Sequence, residues 1–242
     1  MDRALLEQKW PEIRRRMEEG GTDAVLAYTA AYPEPDEMEL DATAAQKFYF
    51  QEWQGKSLDR YADSAEAVIE KYLARAESAE DGARAARLWQ FANAASFNLS
   101  ANLAECWPDE QIVKERRHFE RGLAAAERCL DLRRRLGKDD LSLARAHWLI
   151  GAHLLALHRW DEAAEHFAWA ARLAGETSLM DRLLCEGYLG VAQAAAGFSD
   201  GAERFADAVT AFRQIAEADE HRRDDALYFV QQLEHVRRLY TG

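Results

Sequence analysis

Histidine side chains are the first candidates for chemistry in this sequence, because imidazole can bind metal ions and transfer protons near neutral pH. His147, His153 and His158 lie within one predicted helix. At roughly 100° per residue, His147 and His158 lie about 20° apart around the helix, but about three turns separate them along it, too far for one ion. His153 points away from both. This spacing therefore predicts no metal site.

Other chemistry-bearing patterns are equally incomplete. Glu115 and His118 have the Glu-x-x-His spacing of di-iron bundles, but such a site needs a second copy and two further glutamates. The sequence contains no GxSxG, no glycine-rich phosphate loop and no HExxH. Its three cysteines, Cys106, Cys129 and Cys185, are too few and too widely spaced for a disulfide framework or a zinc motif. We expect no catalytic residue, no metal and no cofactor, although an active site assembled from scattered residues would leave no motif.

The charge balance narrows the choice of partner. With 31 Lys and Arg against 43 Asp and Glu, the net charge is -12, which disfavours binding to nucleic acid phosphates. The uncharged stretches are too short to span a bilayer, and the first residues lack a secretory apolar segment. We expect a cytoplasmic, acidic protein that binds neither nucleic acid nor membrane. The most acidic segment, 34–41, is interpreted as a solvated loop leading into a helix, or alternatively as a docking site for a basic partner.

The composition favours helices throughout. The chain contains 46 Ala and 27 Leu but only 18 β-branched residues, so an all-α fold is predicted. Capping residues, glycines and apolar periodicity divide it into segments. We predict eleven helices, at 2–20, 22–31, 38–54, 57–79, 81–105, 109–136, 140–157, 160–174, 179–196, 200–218 and 222–240.

A pattern of small and aromatic residues recurs with a period near 40. A forward shift of 38 aligns Trp160, Ala163, Phe167 and Ala170 with Phe198, Gly201, Phe205 and Ala208. A backward shift of 41 aligns Ala163, Phe167 and Ala170 with Gly122, Ala126 and Cys129. Such a period is typical of stacked helical hairpins. Small residues let two helices approach, and rings fill the space between layers. We expect Trp160 and Trp169 to be packing residues.

Residues 143–175 resemble a tetratricopeptide repeat. Residues 183–218 resemble a second copy, with Leu189 at the glycine position and Gly190 one place later, and residues 85–136 resemble a longer third copy. The strict 34-residue spacing and the terminal proline of that family are absent. The resemblance implies a right-handed α–α superhelix of stacked hairpins. The positions that carry it most clearly are Gly151, Ala163, Phe167 and Ala170.

In tetratricopeptide proteins the first helix of each hairpin lines a concave groove that holds a peptide, and asparagines there often bind the peptide backbone. The resemblance therefore implies a peptide-binding set in this chain. Two alternatives remain open, since the asparagines can instead satisfy helix ends or face solvent, and Trp148 can be half-buried between helices. The candidate peptide-binding residues are Asn98, Asn102, Arg145, Trp148, Leu155, Glu186 and Gln193.

These observations predict an N-terminal helical segment (1–56), a repeat region (57–218) and a C-terminal capping helix (219–242), forming one continuous domain. The capping helix has one apolar side, which also allows a homodimer. The favoured function is a non-enzymatic adaptor or sensor that binds a protein or peptide. The alternatives are a helical enzyme or small-ligand-binding protein, with its site between the N-terminal helices and the repeats, and the ligand-sensing part of a regulator.

Overall fold

The protein is all-α, as the composition predicts. The computed structural model describes residues 3–107 and 112–242; within them it contains ten helices, which hold 81% of those residues, and no strand. The helices are α1 (Arg3–Thr29), α2 (Glu34–Phe50), α3 (Leu58–Glu77), α4 (Gly82–Leu103), α5 (Arg116–Arg135), α6 (Asp140–Ala156), α7 (Trp160–Ala174), α8 (Leu179–Ala195), α9 (Gly201–Ala218) and α10 (Arg223–Thr241).

The predicted boundaries differ from the observed ones mainly in the first half of the chain. The first two predicted helices form one element, α1, which is interrupted at Gly21 with φ 65°. Helix α2 begins at Glu34, four residues before its predicted start, because Pro35 is tolerated in a first turn, where its missing N–H has no helical partner. Helix α5 begins at Arg116, and its predicted start at Asp109 lies outside the described residues.

The chain divides into two compact units, and the division falls within α4. The first unit ends at Leu99, and the second comprises Ser100–Gly242. In the first unit, α1, α2 and α3 pack against one another around an apolar cluster that includes Trp10, Ile13 and Phe48. None of the three predicted segments, 1–56, 57–218 and 219–242, begins or ends between Leu99 and Ser100. The division of the chain into these segments stays a prediction.

The acidic segment 34–41 is helical and partly buried, so its interpretation as a solvated loop was wrong. Glu37 and Asp41 are 3% and 1% exposed. Lys71 Nζ lies 2.7 Å from a Glu37 oxygen and 2.6 Å from an Asp41 oxygen, while Arg75 binds Glu37 through both terminal nitrogens. The Tyr72 hydroxyl also donates to Asp41 at 2.8 Å. Because buried charges need such partners, this cluster ties α2 to α3.

In the second unit each helix from α5 to α9 packs against the next one along the chain, and α8 also contacts α6 and α10. Glycines stand at the closest crossings. A Cβ on Gly151 of α6 would lie 2.7 Å from the Phe167 ring of α7. A Cβ on Gly190 of α8 would lie 2.6 Å from the Phe205 backbone nitrogen and 2.7 Å from the Gly201 carbonyl oxygen of α9. Consecutive packing of this kind is compatible with a helical repeat.

The recurring small and aromatic positions are buried, except for the first position of the pattern, which is occupied by Trp160 and Phe198. Phe167, Ala163 and Ala170 are fully buried, and the positions aligned with them are buried too. Phe198, however, is 57% exposed, although it aligns with the half-buried Trp160. The repeated core therefore consists of the last three positions of the pattern and not the first.

Helix α10 continues the packing beyond α9. A Cβ on Gly187 of α8 would lie 2.6 Å from Leu233 of α10, and the Gln232 side chain donates a 2.8 Å hydrogen bond to the Tyr188 hydroxyl. This helix thus covers α8 as well as α9. None of the described helices combines the length and the apolar character needed to cross a bilayer.

Replacing Gly190 with Ala should lower the free energy of unfolding by about 1–3 kcal/mol, because the added methyl would meet backbone atoms of α9 that no side-chain rotation can move. Urea denaturation followed by circular dichroism measures the change. The matched control is Gly82→Ala at the start of α4, where a Cβ meets nothing within 4 Å and alanine favours the helix. Equal free energies of unfolding for Gly190→Ala and Gly82→Ala would contradict the close approach of α8 and α9.

Replacing Glu37 with Gln should destabilise the first unit by about 3 kcal/mol at neutral pH, since it leaves Arg75 without its carboxylate and Lys71 with Asp41 alone. Burial raises the pKa of Glu37, but hydrogen bonds from Arg75 and Lys71 outweigh it and hold that pKa below its ordinary 4.5. The stabilisation is therefore present above about pH 4.5 and is lost as the pH falls through the folded-state value.

The difference in urea midpoint between wild type and Glu37→Gln should accordingly shrink in acid. The exposed pair Lys56–Glu52 supplies the control, because Glu52→Gln removes a charge whose side chain is 79% exposed. A pH-independent effect of Glu37→Gln, or an equal effect of Glu52→Gln, would exclude a stabilising role for the buried cluster.

Candidate binding site

Trp148, the central residue of the predicted groove, is buried. Its side chain is on α6 and is 8% exposed. Its ring centroid lies 5.6 Å from that of Tyr188 and 6.4 Å from that of Trp107, and the Trp107 ring in turn stacks on Tyr228 of α10 at 6.2 Å. The chain's own aromatic residues therefore occupy the space in front of Trp148.

The other groove candidates of the second unit differ in their surroundings. Leu155 is fully buried and is a core residue. Arg145 is exposed and forms a two-pronged ion pair with Asp181 of α8, at 2.8 and 3.2 Å. Glu186 and Gln193 of α8 are half-buried, and Gln193 accepts a hydrogen bond from Arg204. The predicted set thus contains structural residues and a few accessible polar groups, but no exposed aromatic side chain.

The two asparagines of α4 belong to different units. Asn98 lies in the first unit, is exposed, and borders an apolar cavity of about 70 Å³; its backbone carbonyl accepts the Tyr61 hydroxyl. Asn102 lies in the second unit and is half-buried.

A larger cleft of about 680 Å³ lies within the second unit, between α5 and α7, with α6 contributing to its wall. It combines apolar, acidic, basic and imidazole side chains. Its lining residues are Glu127, Leu130, Asp131, Arg134, Leu143, His147, Ile150, Glu165, His166, Trp169 and Leu173.

Two histidines meet in this cleft. Nδ1 of His147 on α6 lies 3.1 Å from Nδ1 of His166 on α7, so one imidazole donates and the other accepts. Burial lowers the pKa of His147 to about 4, with a further contribution from His166 and Arg134. Burial also lowers the pKa of His166, against the opposing effect of Glu165. Both rings are therefore neutral at neutral pH.

Trp169 borders the same cleft and is 50% exposed, so its assignment as a packing residue was wrong. The Arg172 guanidinium lies 3.5 Å from the centre of its ring. The His147 ring lies nearly parallel to it, 6.3 Å away with an interplanar angle of 19°. A large ring that is accessible yet held by neighbours is suited to contact a partner at low entropic cost.

Three other histidines, on α5, on α6 and in the turn after α6, are not among the residues that line this cleft. His153 is fully buried and its Nε2 contacts both the hydroxyl and the carbonyl of Ser100. His158 is exposed at the turn before α7, with φ 61°. His118 bonds the backbone nitrogen of Glu115 at the start of α5.

The pairing of His147 with His166 is not visible in the spacing of residues along one helix, because it joins α6 to α7. The signal is the α6–α7 hairpin itself, in which residues near the middle of the two helices face each other. Gly151 and Phe167, already assigned to one crossing, fix the approximate register.

In comparisons with known proteins, no family model, no curated protein and no solved structure matches this chain. The tetratricopeptide resemblance therefore depends on the residues and packing described above.

Removing His166 should raise the pKa of His147 from about 4 toward its ordinary 6.5, because His166→Ala exposes the ring and removes a neighbouring imidazolium charge. Titration of the histidine ring resonances by NMR measures the pKa of His147. The control variant is His221→Ala, which removes an exposed histidine. Since the folded-state pKa is depressed, His147 contributes stability that is present above about pH 6.5 and is lost as the pH falls through 4. An unchanged pKa in His166→Ala would contradict the coupling.

Proposed function

We propose that this protein is a non-enzymatic binding protein that holds a basic peptide or protein segment in the cleft between α5 and α7. The observation that carries this proposal is the half-exposed Trp169 on the wall of a cleft of about 680 Å³. Exposed aromatic rings next to a concave surface are the residues most often used as anchors in protein interfaces.

The charge of the cleft favours a basic partner. Glu127, Asp131 and Glu165 line it, against Arg134, which lies 3.8 Å from Asp131, and Arg172, which lies over the Trp169 ring. The whole chain carries -12, which steers cations toward its surface. The contact between Trp169 and Arg172 is an internal example of the cation–π interaction that a lysine or arginine of the partner would make.

This proposal keeps the expected class of function, peptide or protein binding, but places the binding surface at the cleft between α5 and α7 and not at the predicted groove. Trp148 and Leu155 are buried, so the face expected to hold a peptide lacks its apolar anchors. The accessible anchor is on α7, the second helix of the hairpin.

We also propose that the second unit is a tetratricopeptide-like array with a right-handed superhelix. Support comes from two successive hairpins, each of which sets a glycine of its first helix against an aromatic residue of its second, Gly151 against the Phe167 ring and Gly190 against the Phe205 backbone. The three free, buried cysteines are consistent with the expected cytoplasmic location. A homodimer through α10 stays a prediction, for which exposed Leu227 and Leu239 are the candidate contacts.

Selection from a phage-displayed library of short peptides tests the function. Peptides enriched on the full chain should carry Lys or Arg, and their affinity, measured by calorimetry, should fall as salt is raised. Trp169→Ala should weaken that binding by about tenfold or more, as expected for loss of an aromatic anchor.

Phe198→Ala is the matched control, because Phe198 is similarly exposed but lies outside the cleft, between α8 and α9. Selected peptides without basic residues, or equal binding by wild type and Trp169→Ala, would overturn the proposal.

A further inference from the structure

The His147–His166 contact has the geometry of two ligands for one ion. Its two Nδ1 atoms lie 3.1 Å apart. Two imidazole nitrogens bound to one metal at about 2.1 Å, with an angle of roughly 90–110° between the bonds, lie about 3.0–3.4 Å apart. The hydrogen-bonded pair and a metal-bound pair therefore require nearly the same positions of α6 and α7.

We propose that His147 and His166 together bind a divalent transition-metal ion through their Nδ1 atoms. Zn²⁺, Ni²⁺ and Cu²⁺ are the fitting ions, because imidazole suits all three. This site does not depend on peptide binding, although both would use the same cleft.

Binding requires a change of tautomer and a rotation of both rings, so that the two Nδ1 atoms point at the ion instead of at each other. In the hydrogen-bonded pair one ring carries its proton on Nδ1, and the other presents a lone pair there. When that first proton moves to Nε2, both Nδ1 atoms present lone pairs to the ion, and no net proton is released. The lowered pKa of each histidine keeps both rings neutral, which is the form that binds metals.

The protein supplies two ligands in this arrangement and leaves the other positions open. Among the described residues, no three His, Cys, Asp or Glu side chains converge in a way that would hold an ion. Water or a carboxylate of a bound partner would complete the coordination. Glu127, Asp131 and Glu165 line the cleft and attract a cation, whereas Arg134, which also lines it and lowers the pKa of His147, opposes one. Copper should bind most tightly, following the general order of divalent affinities.

Trp169 provides a local reporter of occupancy, because its ring stacks beside His147 at 6.3 Å. Titrating the untagged full chain with Ni²⁺ or Cu²⁺ should quench part of the fluorescence of its seven tryptophans. The Trp169→Phe variant should lose most of that quenching while calorimetry still detects the ion. A distant adventitious site would leave quenching unchanged in Trp169→Phe.

Removing either ligand provides the decisive comparison. His147→Ala and His166→Ala should each weaken binding of Ni²⁺ and Zn²⁺ at least about tenfold, since even a change next to a metal ligand costs that much. His221→Ala removes an exposed histidine between α9 and α10 and should have no effect. His166→Gln, which retains a polar side chain, provides a second variant if alanine disturbs the hairpin, and circular dichroism checks the fold of each.

Equal affinity of wild type and both ligand variants would overturn the metal site. Peptide binding measured in the presence of a chelator separates the two proposals. Loss of metal binding with intact peptide binding would refute only the ion site, whereas metal binding without any selected peptide would refute only the proposed function.

Discussion

The second unit depends on the backbone contact between α8 and α9. A Cβ on Gly190 would lie 2.7 Å from the carbonyl of Gly201, and a Cβ on Gly201 would lie equally close to the carbonyl of Gly190. Neither position can hold a larger residue without moving a helix, because the obstruction is main chain. Such a contact fixes the distance between two helices, and the rings of Phe205 and Phe212 then fill the remaining interior. One hairpin earlier, α7 lies against α6 through a different contact, in which the Phe167 ring packs on Gly151.

The cleft follows from the close spacing of α6 and α7. Because Phe167 occupies the Gly151 crossing, α7 is held close to α6, and the residues one before and two after Phe167 are brought to one side of the hairpin. His166 then meets His147, and Trp169 lies beside them. Their burial lowers the pKa of both histidines, so a packing constraint decides the protonation state of the side chains in the cleft. The chemistry of this site is therefore a consequence of helix register.

Most helices could be predicted from the sequence, because apolar periodicity and capping residues are local signals. Ser57 and Asp139, for example, cap α3 and α6 as their side chains suggest. The burial of the acidic segment could not be read from its composition. Its useful signal was spacing: Glu34, Glu37 and Asp41 fall on one helix face, but the cations that neutralise the last two lie about 30 residues away on α3.

Trp148 and Trp169 illustrate the same difficulty at the candidate site. Both lie in apolar helical patterns, which predict Trp169 to be a packing residue and leave Trp148 open between the groove and half-buried packing. In the structure Trp148 is buried and Trp169 is exposed, because Trp107 and Tyr228, which are remote in sequence, cover Trp148, whereas Trp169 contacts the solvated Arg172. An aromatic residue in a helical array is exposed only if no other part of the chain reaches it. A binding face is therefore defined by what the terminal helix leaves uncovered, and here the cleft beside α7 retains an exposed ring, two neutral imidazoles and an excess of carboxylates.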